Sequence, residues 1–197
     1  MDAVIIDSGG ANLASLQFAF ERLGAKTRVT ADADEIRSAP RVILPGVGSA
    51  GDAMARLRSN QVASLMPTLK QPVLGICLGM QLLFERSDEG DTECLGILPT
   101  QVRRLQPKDG QPVPHMGWNQ LSLVREDPLL DGITPDDYVY FVHSFAAPVS
   151  DVTLASADYG TTLSAIVRRG NFWGTQFHPE GSAQVGARVL ANFLKLA

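Results

Sequence analysis

Cysteine is nearly absent from the sequence: Cys77 and Cys94 are the only two, too few for a disulfide framework. Histidine is as scarce. His115, His143 and His178 are too scattered to read as a metal-ligand cluster, so neither a structural zinc site nor a cofactor is expected. Long apolar runs are missing as well, since the longest mostly apolar stretch, Pro72 to Phe84, spans 13 residues, includes Gln81 and is too short to cross a bilayer. Met1-Asp2 and the short run ending at Asp7 lack the basic flank and cleavage site of a signal peptide. These absences predict a soluble, cytoplasmic chain with no membrane contact. Basic charge is in deficit too: 17 Lys and Arg against 21 Asp and Glu give a net charge of −4, and Arg103-Arg104 and Arg168-Arg169 are isolated pairs. No field is available to hold a nucleic-acid backbone. Internal repeats and low-complexity segments are also lacking.

What is present is a chain of 197 residues, 45% apolar, with glycine and proline spread evenly. That is enough to bury a core as one domain, 1–197. The first half alternates short β-rich runs with helical patterns, the habit of a mostly parallel sheet flanked by helices. Val4 to Asp7, Lys26 to Thr30, Arg41 to Leu44 and Pro72 to Ile76 read as strands. Asn12 can cap a helix whose Leu13, Leu16, Phe20 and Leu23 form one apolar stripe, and a further helix is expected from about Ser49 to Ser59. Acidic and glycine-containing turns break the pattern between Ser87 and Pro114. Val139 to Val142, Thr153 to Ala157, Ala165 to Arg168 and Phe172 to Thr175 read as later strands, some antiparallel at an edge. A closing helix, capped by Ser182, is expected to bury Val185, Val189, Leu190, Phe193 and Leu194.

Gly75-Ile76-Cys77-Leu78-Gly79 has the form Gly-x-nucleophile-x-Gly, in which small flanking residues permit a tight strand-to-helix turn that lifts the nucleophile above the sheet edge. Cys94 has no such frame and reads as core. A thiol nucleophile needs a base, and Gln176-Phe177-His178-Pro179-Glu180 offers one beside a carboxylate. In an extended segment His178 and Glu180 would face the same way, with Pro179 stiffening the backbone between them. An oxyanion formed by attack on a carbonyl needs donors, and Leu78 N–H is a natural one. Pro45-Gly46-Val47-Gly48-Ser49 leaves a neighbouring strand, where it serves either as a glycine-rich source of backbone N–H groups or as a plain turn with a Ser49 cap. At this point the chemistry is open among acyl substrates.

Taken together, Pro45-Gly46-Val47-Gly48, Gly75 to Gln81 and Gln176 to Glu180 resemble, in order and spacing, the class I glutamine amidotransferases, which hydrolyse glutamine to glutamate and ammonia. The resemblance implies Cys77 as nucleophile, His178 as acid and base, and Glu180 as its orienter. It places Gly46, Val47, Gly48, Leu78, Gln81, Glu89, Ser144 and Phe145 around the oxyanion and the bound glutamine. Pro114-His115-Met116-Gly117-Trp118-Asn119 and Tyr140 to Phe145 further resemble the branch serving imidazole glycerol phosphate synthase in histidine biosynthesis. That branch implies a separate (β/α)8 cyclase as heterodimer partner, with His115, Met116, Trp118, Asn119 and Tyr140 bordering the interface or an ammonia passage. The sequence departs from that branch at Gly181, where lysine is common, and at Phe145, where tyrosine is common. Competing readings are a glutaminase serving another synthase, such as one making anthranilate or pyridoxal phosphate, and a catalytically silent regulatory subunit. A standalone thiol esterase or peptidase explains neither Gln81 nor the second pair of segments.

Overall fold

The computed structural model describes residues 1–8, 13–108 and 110–197. In chain order the first half contains β1 (Ala3–Ile6), α1 (Leu13–Arg22), β2 (Thr27–Thr30), α2 (Ala33–Ser38), β3 (Val42–Leu44), α3 (Ala50–Ser59), α4 (Val62–Leu65), β4 (Val73–Ile76) and α5 (Leu78–Leu82). The second half contains β5 (Arg86–Ser87), β6 (Thr92–Glu93), β7 (Gln101–Arg104), β8 (His115–Gln120), β9 (Ser122–Leu123), β10 (Tyr138–His143), β11 (Phe145–Ala146), β12 (Thr153–Asp158), β13 (Thr162–Arg169), β14 (Phe172–Thr175) and α6 (Ala183–Phe193).

Eight strands form the main sheet in the order β2-β1-β3-β4-β14-β13-β12-β9. The first five are parallel, and β13, β12 and β9 extend the sheet antiparallel on one side. The reason lies in the side-chain alternation along the central strands. Ile5, Ile43 and Leu74 face one layer, packing with Leu16 and Phe20 of α1 and Val189, Leu190 and Phe193 of α6. Their neighbours Val4, Ile6, Val42, Leu44 and Val73 face the other, with Ile36 of α2, Met54 and Leu57 of α3 and Leu65 of α4. Both faces are covered, which is why these strands read as continuous apolar runs rather than alternating ones. No described helix is long and apolar enough to cross a membrane.

Two smaller sheets sit beside this framework. β8 and β10 pair as an antiparallel ribbon, and β5, β6 and β7, from around the segment where the sequence pattern breaks up, join the later β11 in a four-stranded sheet of order β11-β7-β5-β6. Val139 to Val142 is therefore a strand, as expected, but it belongs to the ribbon and not to the main sheet.

Capping follows the sequence in one place and departs from it in another. Ser49 caps α3, its side chain accepting from Asp52 N–H. Ser182 precedes α6 but makes no side-chain cap bond. Its hydroxyl is committed elsewhere, donating to His178 O at 2.7 Å and accepting from Tyr140 N–H at 2.9 Å. The expected cap Asn12 lies outside the described residues. On α6, Val189, Leu190 and Phe193 are buried as expected, while Val185 and Leu194 are half-buried and Gly186 and Asn192 take the remaining buried positions.

Candidate active site

β4 runs into Cys77, where the chain reverses with φ 53° and ψ −111° before α5 begins at the next residue. Holding a non-glycine residue there costs roughly 1–3 kcal/mol. The neighbours impose it: β14 is paired with β4, and Cys77 N–H donates to Thr175 O at 2.7 Å. The flanking glycines serve close approach. A Cβ on Gly75 would lie 2.8 Å from backbone atoms of Gly79 and Met80, and one on Gly46 would lie 2.7 Å from Gly79 N. The loop after β3 is thus seated directly on the first turn of α5. Gly48, at φ 97°, is the residue of that loop needing left-handed freedom.

The opposite side of the site is built by the turn after β14. Pro179–Gly181 is a 3₁₀ turn, not the extended segment expected, and this curl brings His178 Nδ1 to 2.8 Å from Glu180 Oε1. Tyr140 holds the turn in place, its carbonyl accepting from His178 N–H at 3.1 Å while its own N–H donates to Ser182. Burial draws the His178 imidazole down, but hydrogen bonds to Cys77 and Glu180 outweigh it and carry its pKa up to about 10. With Nδ1 committed to Glu180, Nε2 is the nitrogen left for the sulfur.

Cys77 and His178 open on a cavity of about 320 Å³. Every residue expected around the glutamine lines it: Gly46, Val47, Gly48, Leu78, Gln81, Glu89, Ser144 and Phe145. Glu89 is anchored by Ala50 N–H, which donates to Oε2 at 2.8 Å, so its carboxylate is tied to the start of α3. Gln81 is 4% exposed, and its Nε2 donates both to Phe145 O at 2.7 Å and to Gln176 Oε1 at 3.0 Å. Both amide hydrogens are used within the protein. Only Oε1 remains to meet a ligand, which makes Gln81 an acceptor suited to an ammonium or amide N–H.

The ribbon separates the remaining candidates by face. Met116 and Trp118 point outward, 61% and 53% exposed, and Tyr140 packs edge-on to Trp118 with ring centroids 6.0 Å apart. His115 points inward and is buried between the rings of Phe141 and Tyr159, at centroid distances of 4.6 and 4.0 Å. Asn119 follows it inward, donating to Asp158 O at 2.9 Å. Three neighbours of the site are not singled out by the sequence: Val142, His143 and Gln176. Val142 contributes its carbonyl 3.8 Å from the sulfur, invisible in a side-chain reading. Gln176 is visible only as the first residue of the segment that runs to Glu180, just past the end of β14.

The profile of the family Glutamine amidotransferase class-I matches residues 4–197. The chain belongs to this family. The relatives of this amidotransferase include the imidazole glycerol phosphate synthase subunit HisH of Xanthomonas euvesicatoria, 53% identical over 100% of this chain and 98% of that one. The subunits of the same name from Xylella fastidiosa and Shewanella oneidensis are each 51% identical, over 99% of this chain and 98% and 96% of theirs. Among solved structures, a glutamine amidotransferase superposes with TM-score 0.76 at 18% identity, covering 99% of this chain and 98% of that one. PurLQS from Thermotoga maritima gives 0.70 at 19% identity, covering 98% and 96%. These last two share the fold.

In this amidotransferase the second cysteine has a different environment. Cys94 is buried and faces Thr92 O, and burial pushes its thiol up to about 11. A larger cavity of about 810 Å³ lies around Leu123 to Ile133 and the end of α6, and holds none of the candidate site residues.

The two inward histidines give a pH prediction. Burial lowers His115 to about 4, and burial together with His115 lowers His143 to about 3. Both stay neutral when folded, whereas unfolded histidine takes up a proton near pH 6.5. The stability they contribute is present above that pH and lost as pH falls toward 4, by up to about 1.4 kcal/mol per pH unit for each group. Urea unfolding at pH 7 and pH 5 should show the decline, and His115→Gln should flatten it. An equal decline in both proteins would contradict this origin.

Proposed function

We propose that the chain is the glutaminase subunit of an imidazole glycerol phosphate synthase, acting as one domain through Cys77, His178 and Glu180. The observation that carries the reading is the Cys77–His178–Glu180 line opening on a cavity lined by glycine-rich backbone, Gln81 and Glu89. Full-length relatives at 53% identity support the histidine-biosynthetic assignment.

In this mechanism the Cys77 thiolate attacks the side-chain amide carbon of glutamine and the carbonyl oxygen becomes an oxyanion. Leu78 N–H, with the Gly46 to Gly48 loop beside it, is the proposed donor side. His178, protonated and held by Glu180, gives its proton to the amide nitrogen as the C–N bond breaks, releasing ammonia and leaving a thioester on Cys77. It then takes a proton from water, which attacks the thioester and frees glutamate. Gln81 Oε1 and the Glu89 carboxylate are the proposed acceptors for the glutamine ammonium group.

Ammonia in neutral water is largely protonated and loses its nucleophilicity, so it has to reach its acceptor shielded. We therefore place a (β/α)8 cyclase on the ribbon, where Met116, Trp118 and Tyr140 offer an apolar face next to the His178 turn and His115 and Asn119 lie beneath it. Gly181 packs near Tyr140 and His178, so the family's usual lysine contact is absent there.

Purified protein mixed with cyclase and its acceptor should release glutamate from glutamine, and a pull-down with the tagged chain should recover the cyclase. No glutamate release by that mixture would overturn the assignment. Release in the presence of an anthranilate or pyridoxal phosphate synthase instead would move the chain to another branch.

A further inference from the structure

Gln176 is fully buried, yet carries an amide that must satisfy two donors and an acceptor. Its orientation follows from bonds of fixed polarity that begin at the Phe145 carbonyl, a group that only accepts. That oxygen receives His143 Nδ1 at 2.9 Å and Gln81 Nε2 at 2.7 Å. The Gln81 amide nitrogen therefore faces both Phe145 and Gln176, and the end of Gln176 that meets it at 3.0 Å must be its oxygen. The other end is then the NH₂ group, and it faces Cys77 Sγ at 3.8 Å. A flipped Gln176 would set nitrogen against nitrogen and oxygen against sulfur.

Polarity also propagates away from the site. His143 donates from Nδ1, so its Nε2 accepts, and it receives His115 Nδ1 at 2.9 Å. His115 Nε2 in turn accepts from Asn119 Nδ2 at 3.3 Å. The whole line is buried or half-buried, so alternatives bonded to water are disfavoured.

We infer that Gln176 is a further catalytic residue of the proposed glutaminase, whose Nε2–H group, 3.8 Å from Sγ, holds the Cys77 thiolate. This rests on the function proposed above. Donation to the charged form favours it, and the same amide keeps Gln81 turned so that its oxygen faces the ligand. His178 thus supplies the mobile proton and Gln176 the fixed donor. When the thioester forms and the sulfur loses its charge, the Gln176 contact weakens while its bond to Gln81 persists.

The test is the pH profile of Cys77 alkylation by iodoacetamide in the full chain, with modified sites located by mass spectrometry. Gln176→Met should move the profile to higher pH and slow alkylation at pH 7 by about tenfold, one unit of pH in a thiolate-limited reaction. Gln176→Glu keeps an acceptor for Gln81 and sets a carboxyl against the sulfur, and should move the profile in the same direction. It also reports if the methionine variant shows no cooperative melting. Profiles matching wild type in a folded variant overturn the inference. In the unsubstituted chain, the Gln176 side-chain amide signal in NMR should shift when Cys77 is alkylated, and an unmoved signal overturns it even if neither variant folds. Failure of the underlying function looks different: Cys94 would then be alkylated as fast as Cys77 in wild type.

Discussion

Cys77→Ala is expected to lower glutamate release by ~10⁴-fold or more, because without the sulfur no acyl intermediate forms and only substrate binding and the oxyanion donors remain. No second thiol can substitute. Cys94 is buried away from the cavity, with its thiol pushed up to about 11. The fold should persist, since alanine removes one buried atom and tolerates the φ of 53° at the turn no worse than cysteine. His178 provides a second readout within the same variant. Its rise to about 10 opposes a burial effect that lowers it, and Cys77 is the first of the partners that raise it. Removing the sulfur leaves the burial and takes away that partner, so the imidazole should titrate at lower pH in the alanine variant. Glu180→Gln should lower it as well, with a smaller loss of turnover than Cys77→Ala because the nucleophile survives. A Cys77→Ala protein releasing glutamate at a tenth of the wild-type rate would end the thioester mechanism, and an unshifted His178 would end the claim that the two side chains are paired.

The parallel half of the fold was legible because its strands are buried on both faces and its helices carry one apolar stripe each. Val42-Ile43-Leu44 and Val73-Leu74-Gly75-Ile76 have no other stable use in a chain of this kind. The β8–β10 ribbon was harder to read. Pairing of His115–Gln120 with Tyr138–His143 is a non-local choice, and the strand signal in Val139 to Val142 does not say which sheet receives it. The candidate catalytic trio was legible by residue type, but the reason given for its alignment was not the operative one. His178 and Glu180 meet through a 3₁₀ turn at Pro179, which a proline at the start of a turn allows as readily as an extended segment. Ser182 shows the same limit. A serine before an apolar stripe signals a cap, yet here the hydroxyl joins Tyr140 to His178 because both backbone groups lie within its reach. Gln176 and the Val142 carbonyl were illegible for a further reason: their relation to the sulfur exists only once β4 and β14 are paired and β10 of the ribbon reaches the end of that pair.

Gly79→Ala should be severely damaging to the fold, though Gly79 neither lines the cavity nor takes a left-handed conformation. A Cβ there would sit 1.8 Å from Leu44 O and 2.7 Å from Leu44 C, both backbone atoms. Leu44 cannot yield. It ends a central strand paired with β4, and the loop of Gly46 continues from it. α5 cannot yield either, because Gly75 and Gly46 approach the same turn within 2.8 Å of where their own Cβ atoms would lie. The three glycines are one crossing point, where the turn at Cys77 and the loop after β3 are pressed together without side chains between them. Relief requires a shift of more than an ångström in a close-packed region, a cost of about 4 kcal/mol or more. That is much of the stability of a typical domain. The variant is expected to lose its cooperative unfolding transition or to move its denaturant midpoint far below wild type. Gly48→Ala is the control within the same loop. Its Cβ would meet nothing within 4 Å, so only its φ of 97° resists, at about 1–2 kcal/mol. That variant should fold, with its defect confined to turnover if the loop has to present its backbone to the oxyanion. A Gly79→Ala protein with a wild-type midpoint would show that the strand and helix are not held this close, and the proposed placement of the oxyanion loop would fall with it.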